Sequence, residues 1–166
     1  MISKTLSVVL LLSIAVFVLL VLSGVIYVNI AIGISMQPFI ETSAIVVGVC
    51  QELYYKYLAE YLGYNLTGKM IVYTAFGEQK YINLQTNEVV TIHFAIPTPI
   101  AHQVYVDKGD YLIVRGLNNN VWAEMVPRDK VDAIVLVILD TRLVLAILYI
   151  MGVVTTLAVL KVTDKI

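Results

Sequence analysis

An uncharged apolar run near the amino terminus constrains the fold of this chain more than any other feature of its sequence. The run extends from Leu6 to about Val28, and as a helix it would be roughly 35 Å long, enough to cross a bilayer. A cleaved signal peptide is the competing interpretation, but the run exceeds the usual core of about 7 to 15 residues and no convincing small-residue cleavage site follows it. We therefore predict a transmembrane helix.

A second uncharged run, Leu143 to Leu160, lies near the carboxyl terminus and is followed by Lys161 and Lys165. Its length predicts a second, slightly short membrane span. The composition, 60% apolar and 14% charged, agrees with a chain that lies partly in lipid. Together with Lys4, the two lysines place both termini in the cytoplasm under the positive-inside rule. The segment between the spans would then lie outside the cell, in a multi-pass protein of the cell membrane.

The sequence between the two runs predicts a mainly β domain. One amphipathic helix is predicted at Gln51–Leu62, with Gly63 as its stop signal. We therefore expect an N-terminal anchor (1–32), an extracytoplasmic β domain (33–142), and a C-terminal transmembrane helix with a short tail (143–166). The predicted strands are rich in valine, isoleucine, tyrosine and threonine; they are Ser43–Val49, Met70–Phe76, Glu88–Ala95, Ala101–Val106, Tyr111–Val114 and Val131–Leu139.

Charge and cysteine content exclude several classes of function. The net charge of −1 provides no basic field that could hold a nucleic acid, so we expect no nucleic-acid partner. The single cysteine, Cys50, cannot form an internal disulfide. Histidines, cysteines and carboxylates do not cluster at metal-ligand spacing, so the sequence predicts no metal and no organic cofactor.

A candidate nucleophile, Ser35, follows the first apolar run directly, on a stretch stiffened by the fixed φ of Pro38. A serine nucleophile needs a base, and His93 and His102 each lie on a predicted strand further along the chain. A loop serine and a structural strand histidine are the plainer interpretations of these residues. The chemistry of the side chains does not by itself choose between the histidines.

Three motifs resemble the conserved boxes of type I signal peptidases. Ser35-Met36-Gln37-Pro38 resembles the S-M-x-P box, and Ile100–Val104 (IAHQV) resembles the I-x-H-R-V box. Tyr111–Asn119 resembles a hydrophobic strand followed by K-G-D-N-N, while Glu88–Thr91 and Val131–Leu139 resemble the family's flanking strands. A histidine in the second box is the pattern of the archaeal and endoplasmic-reticulum branch. The resemblance covers most of the segment between the two apolar runs.

The resemblance implies a membrane-bound serine endopeptidase that removes N-terminal signal peptides from exported preproteins at small-x-small sites. Ser35 would be the nucleophile, and its backbone N–H would help to hold the oxyanion. His102 would be the general base, which leaves His93 structural. The implied partners are signal peptides, membrane lipid and the protein translocation machinery, without a cofactor.

Two departures from the family pattern bear on the catalytic acid. Gln103 replaces the usual arginine, and Leu117 stands where the family has the K-G-D aspartate. The remaining candidates for an acid that orients His102 are Glu124, Asp129 and Asp132, of which Glu124 follows the box most closely. The lost aspartate favours the alternative of a non-catalytic homologue that binds exported chains or a partner subunit. A plain two-span membrane protein with an accidental S-M-x-P is a third possibility.

Overall fold

The computed structural model describes residues 4–32, 43–142, 144–146, 149–150 and 152–153, which are mainly β. A helix, α1 (Lys4–Leu22), precedes the strands. A helical segment between β2 and β3 comprises an α-helical turn at Gln51–Leu53, a π-helix at Tyr54–Leu58 and a second α-helical turn at Ala59–Leu62. The strands are β1 (Ile26–Ile32), β2 (Ser43–Cys50), β3 (Met70–Asn83), β4 (Val89–Asp107), β5 (Tyr111–Arg115), β6 (Trp122–Pro127) and β7 (Val131–Asp140).

The strands form one antiparallel sheet in the order β1-β2-β7-β3-β4-β5-β6, and β3 also pairs with β6. This extra pairing closes β3, β4, β5 and β6 into a four-stranded barrel. The first part of β3 pairs with β7, through Ile71 with Ile134, and its last residues, Lys80 to Asn83, pair with β6. β3 therefore joins the barrel to the three remaining strands of the sheet, β7, β2 and β1.

Successive side chains of β3 point to opposite faces of the sheet, and each face contributes to a separate hydrophobic core. Ile71 and Tyr73 belong to a larger core, which also contains Val104 of β4, Val114 of β5 and Val126 of β6. Residue 72 points the other way. The smaller core on that face consists of Ala44, Val46, Val72 and Ala133, with partly buried side chains such as Ala101 and Leu117 packed against it.

Gly48 allows β2 and β7 to approach closely. A Cβ atom at this position would lie 2.5 Å from the carbonyl oxygen of Ile134, which is closer than real Cβ contacts come. The register between the two strands also shifts between Val47 and Gly48. Glycine is the residue that fits, because it has no side chain to displace the neighbouring backbone.

The predicted pair of transmembrane helices is wrong, and so is the multi-pass location with cytoplasmic termini. Within the part of the chain that the structure describes, no helix is long and apolar enough to cross a membrane. The first apolar run is divided, because α1 ends at Leu22, Gly24 turns with a φ of 73°, and Ile26 begins β1. Of the second run, residues 144–146, 149–150 and 152–153 are helical, and the others lie outside the described residues.

Several predicted elements differ from the observed ones. The predicted strands Glu88–Ala95 and Ala101–Val106 are parts of one strand, β4, which continues through Pro97 and Pro99. A proline is tolerated there because β5 pairs only with the last part of β4, and none of the other described strands bonds to the outer edge of β4 at the prolines. The strands β1 and β6 were not predicted. The helical segment has the predicted bounds and ends at Gly63, whose φ is 93°.

Candidate functional site

His102 lies on β4 with its side chain directed toward the larger core. It pairs with Ile71 of β3 and shares a face of β4 with Val104, which is fully buried. The imidazole retains 14% of its accessible surface, and its ring centroid is 6.5 Å from that of Tyr73, at a 59° tilt. The histidine is thus held by the barrel while part of its ring stays accessible.

Glu124 of β6 supplies a carboxylate beside this imidazole. It lies opposite Val114 of β5 and is only 7% exposed. One carboxylate oxygen, Oε1, is 3.3 Å from Nδ1 of His102. The hydroxyl of Tyr73 donates a hydrogen bond to the other oxygen, Oε2. Three strands of the barrel therefore bring a tyrosine, a glutamate and a histidine into one buried group.

Burial dominates the electrostatics of this group. It lowers the pKa of His102 to about 4 and raises the pKa of Glu124 to about 7, because a poorly solvated site disfavours the charged form of each. The 3.3 Å separation would suit an ion pair, but the two shifts favour the neutral imidazole, and we expect His102 to be uncharged at neutral pH. A neutral imidazole is the form that can accept a proton as a general base.

The other two candidate acids occupy different places. Asp129 lies on the short 3-10 turn Arg128–Lys130 and is exposed. Asp132 is exposed on β7, where its carboxylate accepts a hydrogen bond of 2.8 Å from the Thr74 hydroxyl. Glu124 is the candidate that lies next to the imidazole of His102, at 3.3 Å from Nδ1, and its catalytic role stays a prediction.

The proposed nucleophile, Ser35, lies outside the described residues, as does the rest of its S-M-x-P box. The strands on either side of residues 33–42 are β1 and β2, which pair from Ile32 and Ser43 onward. The second histidine, His93, is exposed on the distal part of β4, opposite Glu78 of β3. It is nine residues before His102 along the same strand, away from the buried group.

The two departures from the signal-peptidase pattern line one cavity of about 380 Å³. Leu117 contributes to its apolar lining and packs against the smaller core, on the face of the sheet opposite to His102. Gln103 donates a hydrogen bond of 2.9 Å from Nε2 to the carbonyl of Gly68, and so holds the turn before β3. A carboxylate at position 117 would therefore lie against the smaller core, in a cavity that Lys69 also lines, rather than in the histidine site.

Sequence reasoning missed Tyr73. The residue lies within a predicted strand, but nothing in the sequence distinguishes it from the other tyrosines, of which the chain has eleven in total. Its role depends on long-range pairing, because β3 and β6 are about fifty residues apart at this contact. In the described ranges, no group of three or more histidines, cysteines and carboxylates is arranged to hold a metal ion.

Comparisons with known proteins add no assignment. No family model matches the chain, and neither the curated proteins nor the solved structures that were searched gave a match.

Proposed function

We propose that the chain is a Ser–His endopeptidase that cleaves signal peptides from exported preproteins at small-x-small sites. Ser35 is the nucleophile, His102 the general base, and Glu124 the acid that orients the imidazole. The observation that supports the proposal is the Glu124 carboxylate 3.3 Å from Nδ1 of His102, in a buried and poorly solvated site. The nucleophile and the substrate class come from the sequence motifs.

In the proposed reaction, Nε2 of His102 takes the proton of the Ser35 hydroxyl as its oxygen attacks the carbonyl carbon of the last signal-peptide residue. The backbone N–H of Ser35 donates to the oxyanion. His102 then gives the proton to the leaving amine, the peptide bond breaks, and an acyl-enzyme forms. A water molecule, deprotonated by His102, attacks the ester carbonyl and releases the signal peptide, and the serine regains its proton.

Glu124 contributes by holding the imidazole. Its carboxylate accepts from Nδ1–H, which leaves the lone pair on Nε2 for the serine proton and stabilises the imidazolium that forms in each half of the reaction. The 3.3 Å separation is slightly longer than an ordinary N–H···O hydrogen bond, and the contact does not have hydrogen-bond geometry in this structure. Catalytic hydrogen bonds often shorten when substrate binds, so this length is compatible with the role.

The test is cleavage of a preprotein with an Ala-x-Ala site by the purified full chain. The parent is compared with Ser35→Ala and His102→Ala, and His93→Ala serves as the matched control because it removes an exposed histidine from the same strand. We expect cutting after the second alanine by the parent and the control, and a loss of at least about a thousandfold in both catalytic variants. Cleavage that persists in His102→Ala would overturn the proposal.

A second candidate function is the binding of exported chains without cleavage. The observation that favours it is the cavity beside Leu117, which is lined mostly by apolar side chains, at the sequence position where the family's aspartate is missing. A folded parent that leaves the preprotein intact but binds its signal peptide would support this alternative. Anisotropy of a fluorescently labelled signal peptide measures that binding directly.

A further inference from the structure

Tyr73 is the least exposed member of the buried group. Only 1% of its surface is accessible, and its hydroxyl donates to Oε2 of Glu124 while Oε1 of the same carboxylate faces Nδ1 of His102. The carboxylate therefore has a hydroxyl donor on one oxygen and the imidazole on the other. This arrangement gives each oxygen a separate partner.

We propose that Tyr73 is a positioning residue that keeps Glu124 as a hydrogen-bond acceptor toward His102 and thereby fixes the imidazole tautomer with its proton on Nδ1. The consequence for peptide cleavage rests on the proposed function. The proposed arrangement of protons does not, because it depends only on the contacts among the three side chains.

The physical reason is the cost of a buried carboxylate. A hydrogen bond donated to an ionised carboxylate favours the ionised form, and it is stronger than one between neutral groups. Without the hydroxyl, burial would keep Glu124 protonated to higher pH. A protonated Glu124 would donate to Nδ1 of His102, and the imidazole would then carry its proton on Nε2. In that tautomer Nε2 cannot accept the proton of a serine.

In the part of the chain that the structure describes, the neighbouring elements supply few other groups that could compensate the charge of Glu124. Tyr54 of the helical segment reaches the same core, but its hydroxyl donates to the carbonyl of Gly63. Tyr81 of β3 lies directly opposite Glu124 in the sheet, and burial raises the pKa of its hydroxyl. Asp132 of β7 is exposed and bonded by Thr74. The core residues that β5 and β7 contribute are apolar; they are Leu112, Val114, Val131 and Ile134.

Nuclear magnetic resonance of the imidazole nitrogens tests the proposal without any turnover. The full chain is labelled with ¹⁵N-histidine in a Ser35→Ala background, and His93→Ala assigns the two histidines. Tyr73→Phe is compared with Tyr81→Phe, which removes a hydroxyl from the same strand opposite the same glutamate. Spectra are recorded at pH 8, above the pKa of about 7 of Glu124.

We expect His102 to carry its proton on Nδ1 in the Ser35→Ala parent and in Tyr81→Phe, and on Nε2 in Tyr73→Phe. Near-ultraviolet circular dichroism checks that Tyr73→Phe keeps the parent packing. An unchanged tautomer in folded Tyr73→Phe would overturn the proposal. So would a parent in which His102 already carries its proton on Nε2.

Kinetic measurements on the protein that retains Ser35 separate the positioning role of Tyr73 from the proposed function. Tyr73→Phe should lower kcat with little change in KM, and should move the rising limb of the pH–kcat profile to higher pH; a purely structural role would not move that limb. A tautomer change without cleavage by the parent would leave the positioning role standing and reject the peptidase. Cleavage with an unchanged kcat and pH profile in Tyr73→Phe would reject the positioning role and keep the peptidase.

Discussion

Glu124 makes the stability of the protein depend on pH in a direction unusual for a carboxylate. Its pKa is raised from 4.5 to about 7 by burial, so it stabilises the fold at low pH and loses that contribution as pH rises through 7. At 1.36 kcal/mol per pKa unit the loss is about 3 kcal/mol. Relative to Glu124→Gln, the parent should therefore lose about this much unfolding free energy between pH 4.5 and 7.5.

Urea unfolding at several pH values measures this difference. The lowered pKa of His102, also caused by burial, contributes with the opposite sign, since its stabilisation is lost as pH falls through about 4. That contribution is common to the parent and Glu124→Gln and largely cancels in the comparison. A difference between the two proteins that stays constant with pH would contradict the raised pKa of Glu124.

Leu117→Asp places an aspartate at the family's position in the sequence, but we expect that its carboxylate does not reach His102. The side chain packs against the smaller core and lines a cavity together with Met70, while His102 faces the larger core. We expect the substitution to lower the unfolding free energy by about 2 kcal/mol at neutral pH, because a carboxylate replaces a leucine that packs against the smaller core. Cleavage should not increase.

Leu117→Asn is the matched control for shape. The two variants should approach each other in stability at low pH, where the introduced aspartate is protonated. A faster cleavage rate in Leu117→Asp than in the parent would show that position 117 does reach the catalytic histidine.

At the scale of elements, Arg128 ties the helical segment to the turn between β4 and β5. Its guanidinium donates to the carboxylate of Asp107 at the end of β4, to the hydroxyl of Tyr55 in the helical segment, and to the carbonyl of Gly109. Asp107 in turn accepts the backbone N–H of Leu66, at 2.9 Å. One side chain thus connects three separate stretches of the chain.

Arg128→Ala should lower the unfolding free energy by about 2 kcal/mol, with Lys130→Ala, on the same turn, as the control. Burial opposes ionisation of Asp107, but the bonds from Arg128 and from the N–H groups of Leu66 and Gly109 outweigh it and lower the pKa. Stabilisation from a lowered pKa is present above the unfolded value of 3.8 and is lost as pH falls through the folded value. The difference between the two variants should therefore shrink in acid, where the bonds of Arg128 to Tyr55 and Gly109 remain, and thermal unfolding at pH 7 and pH 2.5 tests this.

The local sequence pattern predicted strands well where valine and isoleucine are frequent, as in β2 and β7. It missed β1 because Ile26 to Val28 continue an apolar run that is equally compatible with a helix. Gly24 alone marks the boundary between the helix and the strand. It missed β6 because Glu124 interrupts the alternation with a buried charge. The burial of this carboxylate is explained by its contacts with Tyr73 of β3 and His102 of β4. Those contacts are not local in sequence.

At the scale of the whole molecule, closure of the sheet was the feature that the sequence could not predict. A run such as Met70–Phe76 indicates a strand, but not that the strand continues to Asn83 and exchanges one neighbour, β7, for another, β6. That exchange closes the barrel and brings the His102 site together. The resemblance to the signal-peptidase boxes pointed to His102 and left Glu124 as the nearest of three candidate acids, while their distance of 3.3 Å depends on this topology.

The same topology predicts an uneven distribution of stability. Ile71 to Tyr73 pair with β4 on one side and β7 on the other, whereas Val89 to Phe94 have a strand partner on the β3 side alone within the described sheet. Amides of the first group should exchange with deuterium at least about a hundredfold more slowly, because they open only when both ladders separate. Amide exchange followed by nuclear magnetic resonance measures both groups in one experiment.

Ile134→Ala distinguishes global from local opening in that experiment. Ile134 is 1% exposed and pairs with Ile71, so truncation should lower the unfolding free energy by about 2 to 4 kcal/mol. Exchange at Ile71 to Tyr73 should accelerate by the corresponding factor, while exchange at Val89 to Phe94 should stay unchanged, because local opening does not depend on the global free energy. Equal acceleration of both groups would mean that the distal hairpin unfolds together with the barrel, and that the molecule has a single cooperative unit.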